Sequence, residues 1–256
     1  IPPLDEQAAK TALEHQKILA KPPLALGKLE PVAIQIAAMT GNPAPRLKDK
    51  AVVLFAADHH IADHGLSLTS TDVTYIQTRN FLQGGGTINA FTRNAGARLS
   101  VVDVGVNYDF GDLPGLVKRK VMHGANDFSR GPAMTREQAL ECLQVGIDMA
   151  REEKARGLDI VAAGEMGIGN TTPSSAIVSV LTGTPVETVT GRGSGVKGEV
   201  IRKKIELIEQ GIALNKPDPS DAIDVLAKVG GPEIGAMAGL MLGAASLRVP
   251  IVIASV

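Results

Sequence analysis

The chain has 256 residues and a formal net charge of -1 at pH 7, a length sufficient to bury a substantial core. A nucleic-acid partner is not expected, because the charge is near zero, tryptophan is absent and only 3% of the residues are aromatic. The single cysteine, Cys142, excludes an internal disulfide. We expect a cytoplasmic protein without a membrane partner, since neither a signal peptide nor a bilayer-spanning apolar stretch is found.

The predicted elements alternate between helices and short apolar strands. The chain opens with two helices, over residues 5–19 and 29–39, which are separated by the break Lys21-Pro22-Pro23. Four short apolar runs are typical of strands buried on both faces, and they cover residues 51–57, 99–104, 160–163 and 250–253. The remaining helices are predicted at residues 73–82, 87–94, 136–156, 173–181, 197–214 and 234–247. This alternation predicts an α/β fold, a mainly parallel sheet with helices on both faces.

Polar residues and glycine follow most of the predicted strands. Ligands of parallel α/β sheets bind at the carboxyl ends of the strands. The segments that follow the four apolar runs are residues 58–60, 105–107, 164–166 and 254–256. Three of these four segments carry polar side chains or glycine, which a core would not need. We therefore expect the functional site at this edge of the sheet.

Residues 164–172 form a glycine-rich segment, Gly-Glu-Met-Gly-Ile-Gly-Asn-Thr-Thr, after a predicted strand. Thr172 fits the N-cap of the next helix, and Pro173 fits its first position. Glycines allow backbone N–H groups to approach a ligand, and the amino end of a helix attracts anions. The segment matches neither the Walker pattern nor the dinucleotide-binding pattern. Its residue types are equally compatible with a phosphate or carboxylate site and with a tight strand-to-helix turn.

Glu165 is unusual in such a segment, because a carboxylate repels a bound phosphate. It could accept hydrogen bonds from sugar hydroxyls, take up a proton, or stabilise a developing positive charge. Its spacing alone favours the simpler interpretation of a surface acid or a helix-end charge.

A second polar segment, residues 58–64, contains two carboxylates and three histidines. Such side chains at short spacing are ligands of Zn²⁺ or Mn²⁺, so a metal-dependent hydrolase built on Asp58, His59 and His64 is an alternative hypothesis. If the chain turns sharply after the strand, these side chains do not converge and no metal is bound.

The glycine-rich segment, extended to residues 164–177, resembles the signature of the nicotinate-nucleotide:dimethylbenzimidazole phosphoribosyltransferase family. A second specific match combines Asn215-Lys216-Pro217-Asp218-Pro219 with Lys228-Val229-Gly230-Gly231. Supporting matches occur in the same order along essentially the whole chain, and they include Lys21-Pro22-Pro23, Ala57-Asp58-His59, Val102-Asp103-Val104-Gly105 and Gly131-Pro132-Ala133-Met134.

The resemblance implies a transferase that moves phosphoribose from nicotinate mononucleotide to 5,6-dimethylbenzimidazole. The products would be α-ribazole 5′-phosphate and nicotinate, in the assembly of the lower ligand of cobalamin. The resemblance also implies a doubly wound sheet with a small helical second domain, to which residues 1–45 contribute, while residues 46–256 form the α/β domain. A homodimer that needs neither a metal nor an organic cofactor is implied as well.

The resemblance also implies roles for individual residues. Glu165 is the glutamate of the signature and, with Lys204, a candidate catalytic residue, although the adjacent Lys203 leaves the register of Lys204 open. The residues expected to hold the phosphate and ribose are Gly167, Gly169, Asn170, Thr171 and Thr172. Those expected to line the benzimidazole pocket are Asp58, His59, Thr69 and Gln77.

The principal catalytic base of the family is a C-terminal glutamate, which the resemblance implies to lie beyond Val256. We therefore expect that the sequence lacks the C-terminal part of the α/β domain. The alternative function is a non-catalytic binder of phosphorylated ribosides or benzimidazoles.

Overall fold

The apolar runs of the sequence form one parallel β-sheet. The computed structural model describes residues 1–193 and 195–253. Within these residues the sheet has five strands in the order β3-β2-β1-β4-β5, and every neighbouring pair is parallel. The strands are β1 (Lys50–Ala57), β2 (Ala97–Gly105), β3 (Leu116–Lys118), β4 (Ile160–Met166) and β5 (Ile251–Val252).

Helices connect and cover these strands. They are α1 (Glu6–Ile18), α2 (Leu29–Thr40), α3 (Val73–Leu82), α4 (Thr87–Ala95), α5 (Arg136–Ala155), α6 (Thr171–Thr182), α7 (Val186–Val189), α8 (Glu199–Asn215), α9 (Ala222–Val229) and α10 (Pro232–Ser246), with a 3-10 helix at His60–His64. No helix within residues 1–193 and 195–253 is long and apolar enough to cross a membrane.

The strand order places a topological switch point between β1 and β4. The chain passes from β1 to β2 and β3 on one side, and then returns to the other side of β1 with β4 and β5. Connections that leave in opposite directions open a crevice at the carboxyl ends of these two strands. The predicted α/β class with a parallel sheet is confirmed, and the edge at which we expect the ligand includes this crevice.

Side chains of the central strand alternate between two cores. Val53, Phe55 and Ala57 of β1 are fully buried in a cluster with residues of α5, α9 and α10. Leu54 and Ala56 belong to a cluster on the opposite face, together with residues of α3 and α4. Because helices cover both faces, this strand is apolar from Ala51 to Ala57, and only its first residue, Lys50, is charged. The predictions of a doubly buried strand and of helices on both faces are confirmed.

Two further groups of helices lie outside these cores. A third buried cluster includes Ala176 of α6, Ile208 of α8 and Val225 of α9. Helices α1 and α2 pack against each other, and the backbone N–H of Asp5 donates to the carbonyl of Ala38 at 2.8 Å. The small helical second domain, and its boundary at residue 45, stay predictions.

Strand β4 is longer than its apolar run indicates, which corrects the predicted position of Glu165. The sequence predicts a strand at residues 160–163, but β4 continues through Gly164 and Glu165 to Met166. These three residues pair with residues 54–56 of β1. Hydrogen bonding to the central strand outweighs the weak strand preference of glycine and glutamate. Glu165 therefore lies on a strand and not in a loop.

Helix α6 begins earlier than predicted. Asn170 is its N-cap and Thr171 its first residue, so the assignment of Thr172 as N-cap and Pro173 as first residue is wrong. Pro173 is the third residue of the helix, where its missing N–H would have no intrahelical acceptor in any case. Proline is compatible with both the first and the third position of a helix, so Pro173 did not indicate where α6 begins.

Helices α5 and α10 pack closely through glycine. A Cβ on Gly146 would lie 1.9 Å from the carbonyl oxygen of Ala236, and a Cβ on Gly239 would lie 1.9 Å from that of Leu143. A methyl group therefore fits neither position unless the helices move apart. The close packing holds α10 against the sheet, so that its first residue, Pro232, lies beside the end of β2.

We predict that Gly146→Ala lowers the free energy of unfolding by about 1–3 kcal/mol, because the added methyl separates α5 from α10. This loss should exceed the gain from the higher helix preference of alanine. Urea unfolding monitored by far-UV circular dichroism measures the change. The control is Gly131→Ala, since an added Cβ there meets no atom within 4 Å. Equal stability of the Gly146 variant and the wild type would contradict the close packing.

Candidate active site

The crevice brings together two of the segments expected at the strand ends. The backbone N–H of Asp58 donates to the carbonyl of Gly105 at 3.0 Å, and His59 forms a parallel bridge with Ala125. Through these contacts, Asp58 and His59 extend the pairing of β1 beyond its last residue, Ala57. Glu165 stands near the end of the adjacent strand β4. Carboxylates and an imidazole that are distant in sequence therefore share one site.

Gly167 and Gly169 let the chain pass close to the residues that follow β1. A Cβ on Gly167 would lie 2.5 Å from the carbonyl oxygen of Ala57, and a Cβ on Gly169 would lie 2.6 Å from the Cβ of Ala62. Gly169 also has a φ of +90°, a conformation that residues with a side chain rarely adopt. Both glycines thus have a packing role, and their predicted contact with phosphate stays a prediction.

Hydrogen bonds connect Asp58 to the turn after β4. Oδ2 of Asp58 accepts from the backbone N–H of Asn107 at 2.8 Å, and the side chain of Thr74 also bonds to this carboxylate. Oγ1 of Thr74 in turn accepts from the backbone N–H of Ile168 at 3.1 Å. Burial raises the pKa of Asp58 despite these hydrogen bonds. Oδ1 of Asp58 is buried and has no hydrogen-bond partner among the described residues.

Glu165 is held by the N-cap residue of α6. Its Oε2 accepts a hydrogen bond from the side-chain amide of Asn170. Burial, followed by the negative charge of Glu233, raises the pKa of Glu165, while Asn170 and His59 oppose this shift. A carboxyl group with a raised pKa in a crevice is a candidate for proton transfer or charge stabilisation.

His59 forms a buried ion pair with Glu233 at the amino end of α10. Their Nε2 and Oε1 atoms are 2.8 Å apart, and the two side chains are 1% and 0% exposed. Glu233 belongs to no motif that we recognised in the sequence, although it is the only charged residue of α10. A carboxylate in the first turn of a helix is common for dipole reasons alone, so this signal does not mark a site.

Lys204 of α8 is 1% exposed, whereas the adjacent Lys203 is exposed and donates to the carbonyl of His64. Nζ of Lys204 donates to Oγ1 of Thr171 at 2.6 Å and lies 3.5 Å from the carbonyl oxygen of Gly191. Within the part of the chain that the structure describes, no carboxylate contacts this ammonium. Burial lowers the pKa of Lys204 to about 8. Lys204 is therefore the buried lysine that contacts Thr171, and its predicted catalytic role stays a prediction.

A cavity of about 530 Å³ adjoins the amino end of α6 and is lined by Thr171, Ser174, Gly191 and Gly193, among others. Its size is in the range of small-molecule sites. The dipole of α6 favours an anion there, and the ammonium of Lys204 contacts Thr171, which lines the cavity. Thr172 is 1% exposed, and its Oγ1 has no partner among the described residues.

The structure does not join all predicted site residues by direct contacts. Thr69 is exposed and its Oγ1 lies 3.2 Å from Oγ of Ser67, while Oε1 of Gln77 on α3 accepts from Asn80 at 3.0 Å. Their benzimidazole-binding roles stay predictions. Residues 254–256, the fourth segment expected at a strand end, lie outside the described residues.

The metal hypothesis for residues 58–64 is contradicted by the side-chain contacts. The 3-10 helix at His60–His64 turns the chain sharply after β1, so the imidazoles separate. Each has its own carboxylate neighbour: Glu233 for His59, Asp63 for His60 and Asp127 for His64. Across residues 1–193 and 195–253, no group of three or more His, Cys, Asp or Glu side chains could hold a metal ion.

Fold and site together define an α/β protein with a crevice at the carboxyl ends of β1 and β4, and the comparisons agree with this fold class. A family model described as phosphoribosyltransferase matches residues 1–255. Nicotinate-nucleotide–dimethylbenzimidazole phosphoribosyltransferase of Geobacter sulfurreducens is 50% identical over 98% of this chain and 71% of its own length. The enzyme of the same name from Roseiflexus sp. (strain RS-1) is 51% identical over 99% and 72%. The chain belongs to the nicotinate-nucleotide–dimethylbenzimidazole phosphoribosyltransferase family.

Two solved structures from Thermus thermophilus share the fold. One, described as CobT, has a TM-score of 0.92 and 41% identity over 97% of this chain and 74% of that chain. The other, described as the nicotinate-nucleotide–dimethylbenzimidazole phosphoribosyltransferase, has a TM-score of 0.91 and 40% identity over 98% and 74%.

We predict that Lys204→Met raises the temperature of thermal unfolding at pH 7 in the absence of an anion, because it removes an unpaired buried charge. Because the pKa of Lys204 is lowered to about 8 in the folded protein, the unfolded chain binds more protons than the folded chain from that pH up to the ordinary pKa of lysine. Wild-type stability should therefore rise with pH through this window, and the variant should lose this rise. Circular dichroism melting curves measure both effects.

Inorganic phosphate should raise the unfolding temperature of the wild type but not that of Lys204→Met. The matched control is Lys203→Met, which removes an exposed lysine from the adjacent position and should keep the response to phosphate. An equal response of both variants would contradict an anion site at Lys204.

Proposed function

We propose that this protein transfers phosphoribose from nicotinate mononucleotide to 5,6-dimethylbenzimidazole and forms α-ribazole 5′-phosphate and nicotinate. This reaction activates the lower ligand in cobalamin assembly. The relatives that carry the name of this activity are 50% and 51% identical to the chain over nearly its whole length. That similarity includes the segment from Gly164 to Thr172 and the residues around it.

The observation that carries the proposal is the buried ammonium of Lys204 beside the amino end of α6. A buried cation without a carboxylate is costly unless a ligand supplies the opposite charge. The 5′-phosphate of nicotinate mononucleotide supplies that charge, and the dipole of α6 favours an anion at its amino end. We assign to the phosphate and ribose the residues Gly167, Gly169, Asn170, Thr171, Thr172 and Lys204.

The reaction exchanges one cationic ring for another, which explains why a carboxylate is useful in the crevice. Nicotinate is attached to ribose as a pyridinium, so cleavage of its glycosidic bond returns the electron pair to nitrogen and needs no acid. The attacking nitrogen of benzimidazole becomes cationic, and the other ring nitrogen then loses a proton. Positive charge also develops at the ribosyl carbon. We assign to Glu165 the stabilisation of this positive charge.

The acceptor base is assigned to the crevice between β1 and α3. Asp58 and His59 are almost fully buried, so we place them at the floor of its pocket. Thr69 and Gln77 are more accessible, so we place them at its walls. We assign to Oδ1 of Asp58, which is buried and has no partner among the described residues, the hydrogen bond from the N–H of the benzimidazole ring.

We further propose a cytoplasmic homodimer that needs no metal or organic cofactor. The support is the family itself, whose resemblance implies both a dimer and a reaction between two small molecules without a redox step. Size-exclusion chromatography with light scattering tests the dimer, which should have twice the chain mass of 26.6 kDa.

We predict that Glu165→Gln lowers kcat by about 100-fold or more, the range typical of one residue that acts on charge or protons. Because the pKa of Glu165 is raised, its ionised fraction increases with pH beyond the ordinary carboxyl range. The wild-type kcat should rise with pH there, and the variant should lose this dependence. Nicotinate release from nicotinate mononucleotide, measured by chromatography, gives both quantities.

The Glu165→Gln variant should also unfold at a higher temperature than the wild type at pH 7. A carboxyl group with a raised pKa contributes stability that is lost as pH rises through that pKa, and glutamine has no such loss. Glu14→Gln, which removes an exposed acid from α1, is the control and should change neither property.

Calorimetry with nicotinate mononucleotide separates the transferase from the alternative function. A transferase releases nicotinate once dimethylbenzimidazole is added. A wild-type chain that retains nicotinate mononucleotide without ever releasing nicotinate is a binder, and this result would reject the proposed activity.

A further inference from the structure

The two tyrosines of the chain, Tyr75 on α3 and Tyr108 in the loop after β2, stack on each other. Their ring centroids are 4.4 Å apart and the ring planes differ by 11°. The ring of Phe110 contacts Tyr108 edge-on, with the centroids 5.1 Å apart. Aromatic pairs of this kind stabilise a contact beyond the area that they bury. The stack therefore joins α3 to the loop of residues 106–110.

The ammonium group of Lys120 binds this loop. Its Nζ donates to the backbone carbonyls of Val106 and Tyr108, the latter at 3.0 Å. It also lies 2.9 Å from Oδ2 of Asp103 on β2, and the other oxygen of this carboxylate accepts from the N–H of Val106 at 2.9 Å. The side chains of Lys120 and Asp103 are 22% and 4% exposed. One cation thus serves two carbonyls and a buried acid, and all three would lose this donor without it.

The loop that Lys120 holds also binds Asp58. The backbone N–H of Asn107, which lies between the two carbonyls that Lys120 binds, donates to Oδ2 of Asp58 at 2.8 Å. Asp58 and Asn107 line a cavity of about 130 Å³ together with Tyr75 and Thr71, among others. The loop, the aromatic stack and the carboxylate therefore border the same space beside α3.

We propose that Lys120 is a positioning residue that holds the loop after β2 against Asp58 and Tyr75, and thereby shapes the pocket of the acceptor base. The inference rests on the proposed function, which assigns the acceptor base to the crevice between β1 and α3. Two contacts carry the effect: Asn107 fixes one carboxylate oxygen of Asp58, and Tyr108 fixes a ring of α3.

The phosphate of the donor substrate is assigned to a different part of the molecule. Thr171 and Lys204 contact each other at the amino end of α6, whereas Lys120 contacts β2 and the loop that follows it. Loss of Lys120 should therefore weaken the binding of dimethylbenzimidazole and leave the binding of nicotinate mononucleotide almost unchanged.

A purely structural role is the competing explanation, because Tyr75 and Tyr108 also pack against the buried cluster on that face of β1. Loss of this packing would displace α3 as a whole. The turn after β4 would then move as well, since the backbone N–H of Ile168 donates to Oγ1 of Thr74 at 3.1 Å. The binding of both substrates would suffer in that case, so a comparison of the two substrates separates the explanations.

The first experiment observes the stack and needs no substrate. The chain has two tyrosines and no tryptophan, so the tyrosine band of the near-UV circular dichroism spectrum reports Tyr75 and Tyr108 alone. In Lys120→Met, the band per tyrosine should approach that of Tyr108→Leu, in which Tyr75 has lost its partner. The far-UV spectrum should stay that of the wild type. An unchanged tyrosine band in folded Lys120→Met would overturn the proposal.

The second experiment measures KM for each substrate from the release of nicotinate. Lys120→Met and Tyr108→Leu should raise KM for dimethylbenzimidazole about three- to tenfold, the effect expected when one aromatic pair is lost, and change KM for nicotinate mononucleotide by less than about twofold. Tyr108→Phe keeps the stacking ring and should keep both KM values. Equal changes of both KM values in Lys120→Met, or an unchanged KM for dimethylbenzimidazole, would contradict the positioning role.

The matched control is Lys118→Met, which removes a half-exposed lysine whose Nζ lies 3.6 Å from the exposed Asp112. It should change neither the tyrosine band nor either KM. If the wild type releases no nicotinate, the proposed activity fails, and calorimetry then measures the affinity for dimethylbenzimidazole directly. A weaker affinity in Lys120→Met than in Lys118→Met supports the positioning role, whereas equal affinities, or a wild type that binds no dimethylbenzimidazole, reject it.

Discussion

The parallel pairing of β1 with β4 is the constraint on which the rest of the site depends. These strands meet at the switch point, and their pairing aligns Phe55 with Glu165. The chain can then turn back over the carbonyl of Ala57 only because residue 167 is glycine. The same turn brings Asn170 to Glu165 and starts α6 beside Lys204. Backbone geometry therefore positions the charged groups before their own interactions contribute.

The site separates its charges into two regions. Lys204 is a buried cation with no carboxylate partner among the described residues, whereas Asp58, Glu165 and Glu233 share a single imidazole. Both arrangements cost stability. They match a substrate that carries an anionic phosphate at one end and develops positive charge at the other. For the same reason, we expect the protein to become more stable when Lys204 or Glu165 is replaced by a neutral residue.

Much of the fold could be predicted because local patterns and tertiary structure agree. Apolar runs became strands wherever both faces are covered, as in β1, and the helix predicted at residues 73–82 has those limits in the structure. Strand β4 extends beyond its apolar run because its end pairs with the central strand, an interaction that no local pattern contains. Glu233 was not predicted, since one acid in the first turn of an apolar helix has an ordinary explanation.

The sequence by itself determined the fold class, the family and the glycine-rich segment that forms the turn between β4 and α6, because glycine spacing, apolar runs and motif order are local properties. Only the tertiary structure decided which charged groups share an environment. It separated the histidines of residues 58–64 and paired His59 with Glu233. It also buried Lys204 and left Lys203 exposed. The physical reason is that burial and electrostatic pairing depend on distances between elements, which the switch point and the packing of α10 on α5 establish.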